Sequence, residues 1–311
     1  MSASGGTKAI IAALSANLAI AVSKFVAAAF TGSSSMLAEG IHSVADSGNQ
    51  VLLLIGGKRA ARASTREHPF GYGRERYFYA FVVAVVLFTI GAAFSIYEGV
   101  HKIADPHEVE SPIWAFAVLI FAIIAEGLSF RTAVKESRPL RGDQSWFAFI
   151  RRSKSPELPV ILLEDLGALL GLVFALFGVT MAVLTGNGVW DGVGTLMIGI
   201  LLAVIAIVLA IETKSLLVGE GASPEMEEQI RAALESAPEV ERIIHMRTLH
   251  LGPEELLVAA KIAVEHNDTA AEVARGIDEA ERRIREKVPI ARVIYLEPDL
   301  DRSRSTSASA G

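Results

Sequence analysis

Met36-Leu37-Ala38-Glu39-Gly40-Ile41-His42-Ser43-Val44-Ala45-Asp46-Ser47-Gly48-Asn49-Gln50 lies inside a segment that otherwise reads as a membrane-spanning helix. Glu39, His42 and Asp46 are spaced i, i+3 and i+7. On an α-helix that spacing sets all three on one stripe. Two carboxylates and an imidazole in lipid are costly unless they have a task. Imidazole nitrogen and carboxylate oxygen together make a donor set for a divalent metal such as zinc. The stretch therefore predicts an intramembrane metal site.

The composition around it agrees. Of the 311 residues, 51% are hydrophobic, which points to a membrane protein with a polar part. The formal net charge of -6 argues against a nucleic-acid partner, which would call for a basic face. The chain has no cysteine, so a metal must be held by nitrogen and oxygen. The apolar run after Lys8 is about the length of a full span and lacks a clear small-residue cleavage site, so it reads as a retained first helix.

Six apolar segments are long enough to cross a bilayer: about 8–30, 33–56, 77–99, 112–134, 158–184 and 192–212. Residues 57–76 and 131–158 are polar and basic, whereas the connections on the opposite side carry little basic charge. The positive-inside rule makes the basic loops cytoplasmic, and both termini with them. After Glu212 the chain reads as soluble. Ser223-Pro224-Glu225 starts a helix over 224–236. Residues 241–251 and 256–264 are strand-like and flank the turn signal Gly252-Pro253. Thr269-Ala270-Ala271-Glu272 is a capping box before a helix, and Ala291 to Leu296 is a last strand. The expected fold is a polytopic α-helical membrane protein of six transmembrane helices with a C-terminal cytoplasmic α+β domain ordered α-β-β-α-β. Its expected parts are a transport domain over 1–212, a cytoplasmic dimerisation domain over 213–299 and a disordered tail over 300–311.

Polar groups inside spans carry the chemistry. Span 1 holds Asn17 and Lys24, span 2 adds Asn49 and Gln50, span 4 holds Glu126, and span 5 holds the adjacent Glu164 and Asp165. Burying so many carboxylates without a cation costs several kcal/mol each or leaves them protonated. A site that exchanges metal for protons removes that cost in both states, which is the physical case for proton-coupled metal transport. Glu39 has three readings: a ligand, a group orienting His42, or a gate. Glu126 is a proton site or an interhelical hydrogen-bonder. Asn17 and Asn49 read as interhelical hydrogen-bonders, and Lys24 as snorkelling to the outer interface.

The sequence resembles the cation diffusion facilitator family of divalent-cation exporters over nearly its whole length. The most specific match is Ser34 to Asp46, ending in His-x-x-x-Asp; His68-Pro69-Phe70-Gly71-Tyr72-Gly73-Arg74-Glu75-Arg76 is similar to the family's stretch before span 3. The resemblance implies a homodimer, a tetrahedral metal site shared by spans 2 and 5, and proton antiport by alternating access. His42 and Asp46 match the span 2 ligands, and Asp165 matches the second ligand of span 5. The first span 5 ligand falls on Ile161, which cannot ligate, so Glu164, water or Glu39 is expected to complete the shell. In this respect the chain resembles a distinct zinc-transporter-like branch.

The expected function is a proton-coupled antiporter exporting a divalent transition-metal cation, Zn²⁺ first, from the cytoplasm. The alternatives are export of Mn²⁺, Fe²⁺, Co²⁺ or Ni²⁺, and a membrane metal sensor that does not transport. An enzyme is not expected: no His-Glu-x-x-His occurs, and no nucleophile is paired with a base. No cofactor is expected beyond the transported ion. Expected partners are the metal ion, protons, the lipid bilayer and a second copy of the chain. The expected setting is a bacterial plasma membrane. In the soluble part, His245 and His250 fall on opposite faces of a strand, and no metal cluster is expected there. His68 is a weak loading site or a capped loop histidine.

Overall fold

The computed structural model describes residues 4–31, 34–106 and 112–300; within α2 the side chains of Glu39, His42 and Asp46 lie outside that description, as does the tail 301–311. The chain divides into two compact units, Met1–Arg59 with Glu75–Lys214, and Ala60–Arg74 with Ser215–Gly311.

The first unit is helical. Its elements are α1 (Ser4–Thr31), α2 (Ser34–Ala60), α3 (Glu75–Val86) continuing through a π-helical segment (Leu87–Ala93) into α4 (Phe94–Ala104), α5 (Pro112–Arg141), α6 (Trp146–Arg152), α7 (Glu157–Thr185) and α8 (Val189–Val218). Among the described residues, four helical stretches are long and apolar enough to cross a membrane: Glu75–Ala104, Pro112–Arg141, Glu157–Thr185 and Val189–Val218. Helix α1 adds the apolar stretch Ala9–Ser23, and α2 is 27 residues long but carries Glu39, His42, Asp46, Lys58 and Arg59. Apolar side chains on these helices stay exposed, among them Trp114, Ile120, Ile124 and Leu128 of α5 and Val173 and Phe177 of α7. So apolar a surface suits hydrocarbon rather than water. The inward faces form a core of Leu53, Val83, Leu87, Leu158, Ile161, Leu202, Ile205 and Leu209.

Helix α8 packs closely on α4. A Cβ on Gly99 would stand 2.6 Å from the Leu196 nitrogen, and one on Gly199 would stand 2.7 Å from the Ile96 nitrogen. Small residues allow backbones that near approach, the usual way helices associate in lipid. Lys102 of α4 pairs with Asp191 of α8 at 2.9 Å beside this seam. Two details depart from the sequence reading. Span 4 does not stop near 134; α5 runs on to Arg141, and α6 follows, capped by Ser145, whose hydroxyl accepts from the Ala148 N–H. Lys, Arg, Glu and Ala are good helix formers, and cations near a C-terminus complement the helix dipole. Span 3 is also not uniform, because it is interrupted by the π-helical segment.

The second unit holds α9 (Pro224–Glu235), β1 (Arg242–Gly252), β2 (Glu255–Ala263), α10 (Ala270–Lys287) and β3 (Ala291–Asp299). This is the expected α-β-β-α-β order. The strands lie in the order β1-β2-β3, with β1 antiparallel to β2 and β3 parallel to β2. Helix α10 is the crossover that a parallel pair requires. The caps form as the sequence predicts: Ser223 accepts from the Met226 N–H, and Thr269 and Glu272 make a reciprocal capping box. Ile230, Leu234, Leu256, Val258, Ile262, Ile284 and Ile294 fill the core between the helices and the sheet. The loop between α2 and α3 packs with this unit. A Cβ on its Gly73 would stand 2.7 Å from the Leu251 carbonyl oxygen, at the β1–β2 turn.

Candidate metal site

Helix α7 places the site. Glu164 and Asp165 sit two turns into it, 8% and 3% exposed, in a run of leucine, isoleucine, valine and glycine. Adjacent residues on a helix point about 100° apart. The two carboxylates accordingly have different neighbours.

Glu164 faces α2. Asn49 Nδ2 donates to its Oε1 at 2.9 Å, and Gln50 Nε2 donates to its Oε2 at 3.0 Å. Asn17 Nδ2 of α1 donates in turn to Gln50 Oε1 at 3.2 Å. A chain of hydrogen bonds thus runs from α1 through α2 to α7. All four side chains are buried, Gln50 completely.

Asp165 faces α5. Ser129 Oγ donates to its Oδ2 at 2.8 Å. Ser129 belongs to a buried face of α5 made by Ala122, Glu126, Ser129, Ala133 and Ser137. Glu126 is therefore on the same face as Ser129, one turn away. Small residues on that face bring α5 against α7 and leave room for polar side chains between them.

The remaining predicted positions fall as follows. Glu39, His42 and Asp46 lie on the helical backbone of α2, one to three turns before Gln50, with side chains outside the described residues. Lys24 has its side chain outside them as well. Ile161 is fully buried in the apolar core beside Leu158, Val160 and Leu162, so this position is built for packing. Below Glu164 and Asp165, Glu157 in the first turn of α7 pairs with Arg76 of α3 at 2.8 Å. That pair closes the polar end of α7, where a negative charge suits a helix N-terminus.

Sequence reasoning singled out Asn17, Asn49, Glu126, Glu164 and Asp165 as polar groups within the spans, and the structure buries all five. That reasoning passed over Ser129, and it gave Gln50 no role. The signal for Ser129 was present: it stands three residues from Glu126 on a stripe of alanine and serine.

In the second unit His245 is exposed, and His250 is buried with Nδ1 3.3 Å from the Gly252 carbonyl oxygen. The two point to opposite faces of β1. Among the described residues, no group of three His, Asp or Glu side chains stands close enough to hold a metal. His68 is exposed; its backbone N–H donates to Thr65 Oγ1 at 3.1 Å and its ring leans on Tyr72 at 4.5 Å.

Both units have counterparts among known proteins. The family model of the cation efflux transmembrane domain matches residues 10–218, and that of the cation efflux protein cytoplasmic domain matches residues 222–299. The chain is similar to the proton-coupled zinc antiporter SLC30A9, mitochondrial, of Xenopus laevis, at 32% identity over 260 residues, 83% of this chain and 46% of that one. The human protein of the same name is 32% identical over 250 residues, 80% of this chain and 44% of that one. The chain therefore spans under half the length of these relatives. The manganese efflux system protein MneP of Bacillus subtilis is 24% identical over 289 residues, 90% of each chain.

Proposed function

The chain belongs to the cation diffusion facilitator family, and from that premise we propose that it is a proton-coupled antiporter exporting a divalent transition-metal cation, Zn²⁺ first, from the cytoplasm. The observation that carries this reading is the buried acidic pair Glu164 and Asp165 within an otherwise apolar membrane helix. Carboxylates are retained at that depth when a cation or a proton balances them. His42 and Asp46 on α2 and Asp165 on α7 are the metal ligands of the proposal. Glu39 and Glu164 are the candidates for the remaining place, since Ile161 cannot fill it. On release of the metal, protons take its place on the histidine and carboxylates, and the helices return in that form.

The proposal includes six spans with both termini cytoplasmic, α1 and α2 being the first two. It includes a homodimer joined through the cytoplasmic domain, and residence in a bacterial plasma membrane. Similarity to zinc antiporters supports zinc as the ion. Purified protein in vesicles is expected to move zinc against an imposed pH gradient. His42→Ala, Asp46→Ala and Asp165→Ala are each expected to abolish that flux; if all three transport like the wild type, the site is wrongly assigned.

A second reading is export of Mn²⁺ or another harder ion. The manganese efflux relative spans 90% of both chains, and a donor set of several carboxylates and a single histidine suits such ions. Competition among Zn²⁺, Mn²⁺, Fe²⁺, Co²⁺ and Ni²⁺ in the same vesicles separates the readings. Binding without flux for every ion would leave only a sensor.

A further inference from the structure

We propose that Asn17, Asn49, Gln50 and Glu164 form a positioning clamp, in which Glu164 is not a metal ligand but the carboxylate by which α7, and Asp165 with it, is fixed against α2 and α1. The inference rests on the reading of Asp165 as a ligand and deepens it by deciding what its neighbour does.

The donor pattern is the first argument. Glu164 receives a separate amide N–H on each oxygen, from Asn49 at 2.9 Å and from Gln50 at 3.0 Å. A carboxylate offers only acceptors, so it satisfies both donors at once. Bonds from amides to a carboxylate are stronger than bonds between neutral groups, and more so where water is absent. Asn17 then donates to Gln50 Oε1 at 3.2 Å, which fixes the direction of the Gln50 amide. With its oxygen taken by α1, Gln50 has its N–H turned toward α7. Asn49 gives the same answer. Its Oδ1 is buried and, among the described residues, has no hydrogen-bond partner. Turning the amide over would set that oxygen against a Glu164 oxygen, so the N–H is committed to the carboxylate.

Placement is the second argument. Gln50 is four residues after Asp46 and continues the Glu39–His42–Asp46 stripe of α2 by one turn. Glu164 adjoins Asp165 in sequence. The clamp therefore ties together the two helices that carry the proposed ligands, one turn from Asp46 on one side and one residue from Asp165 on the other. Asp165 itself is turned to Ser129 of α5. The acidic pair is thus divided between two tasks, with Asp165 left for the ion.

An exchange of groups tests this. In Glu164→Gln one of the two donors loses its acceptor, and an amide N–H₂ meets another. In Gln50→Glu two carboxylates face each other. In the double variant Gln50→Glu/Glu164→Gln, the amide now on α7 donates to the carboxylate now on α2, and the amide oxygen accepts from Asn49. The relocated carboxylate still accepts from Asn17. Every bond of the clamp is then remade with the carboxylate moved to α2. Zinc flux in vesicles and thermal unfolding in detergent are measured for all three. The clamp predicts that each single variant loses flux about tenfold or more and melts lower, and that the double variant returns to within about threefold of wild-type flux and regains most of the lost melting temperature. A ligand role for Glu164 predicts that Glu164→Gln and the double variant fail alike; that result overturns the clamp. Should Gln50→Glu not fold, Asn49→Ser takes its place: the clamp predicts a lower maximal flux with the zinc KM within about threefold, and a KM raised about tenfold or more overturns it. Absence of zinc flux in the wild type would instead sink the transport reading, and the melting temperature of the double variant would still decide the clamp.

Discussion

Ser129 supplies Asp165 with a hydroxyl hydrogen bond at 2.8 Å inside the membrane unit. Under the proposed reading of Asp165 as a metal ligand, this bond fixes one of its oxygens, and partners of this kind tune metal affinity by about 10- to 100-fold. Ser129→Ala is therefore expected to raise the zinc KM of transport by about tenfold, with Ser129→Thr close to wild type. The zinc-concentration dependence of flux in vesicles reads this out, and an unchanged KM in Ser129→Ala would show that the bond only fills space. The charge on α7 was legible from sequence, because a Glu-Asp pair stands out among leucines. Its division of labour was not legible. Which neighbour each carboxylate meets depends on how α7 is turned toward α2 and α5, and a single-helix pattern does not carry that rotation.

At the scale of elements, caps and periodicities placed α9, α10 and the three strands, since the signals for these are local. The end of α5 was missed because basic residues read as loop by charge although they favour helix by propensity, and the π-helical segment in span 3 was missed because its run of Leu87–Ala93 is as apolar as the helix around it. The contact between the α2–α3 loop and the β1–β2 turn is a long-range feature with no local signature. It makes a prediction: Gly73→Ala forces a Cβ to 2.7 Å from the Leu251 oxygen, so about 1–3 kcal/mol of stability should be lost from the second unit. Denaturant unfolding of the full chain checks it, and a neutral result would mean that the loop yields. Helix α10 gives a pH dependence. Hydrogen bonds from Arg282 first, then Arg283, pull the Glu279 carboxyl from the ordinary 4.5 to about 2. A depressed carboxyl stabilises the fold above its unfolded value and loses that contribution as pH falls through its folded value. The second unit should thus lose stability between about pH 4.5 and about pH 2, and Glu279→Gln should flatten this part of a melting-temperature series. The effect is screened because the group is partly open to solvent, so raising the salt should shrink it.

For the molecule as a whole, apolar helices bearing exposed leucine, isoleucine and phenylalanine place the first unit in a bilayer, and the small α+β unit is its cytoplasmic part. If protons and metal share one site, acidifying the cytoplasmic side should weaken export, since protons compete for His42 and the carboxylates. With the gradient collapsed, transport at about pH 6 should be clearly lower than at about pH 8. Equal rates at the two would separate metal movement from proton binding. Helix packing through Gly99 and Gly199 on the α4–α8 seam gives those helices a close backbone contact, whereas the candidate site joins α1, α2, α5 and α7 through side-chain hydrogen bonds.

The sequence by itself determined the membrane character, the placing of costly polar groups within apolar helices, and the element order of the second unit. Those are properties of composition, period and capping, each contained within a window of a few turns. The departure at Ile161 came instead from the resemblance to the cation diffusion facilitator family, whose pattern expects a ligand where this chain has isoleucine. Only the tertiary structure decided that Ile161 is core, that Ser129 holds Asp165, and that Asn17, Asn49 and Gln50 converge on Glu164. The physical reason is the same in each case. A hydrogen bond between residues more than a hundred positions apart, such as Gln50 and Glu164, exists only once the helices are packed and rotated into contact. The Met36–Gln50 stretch announced a polar task in the membrane; α7 and α5 decided which of its neighbours stand ready for it.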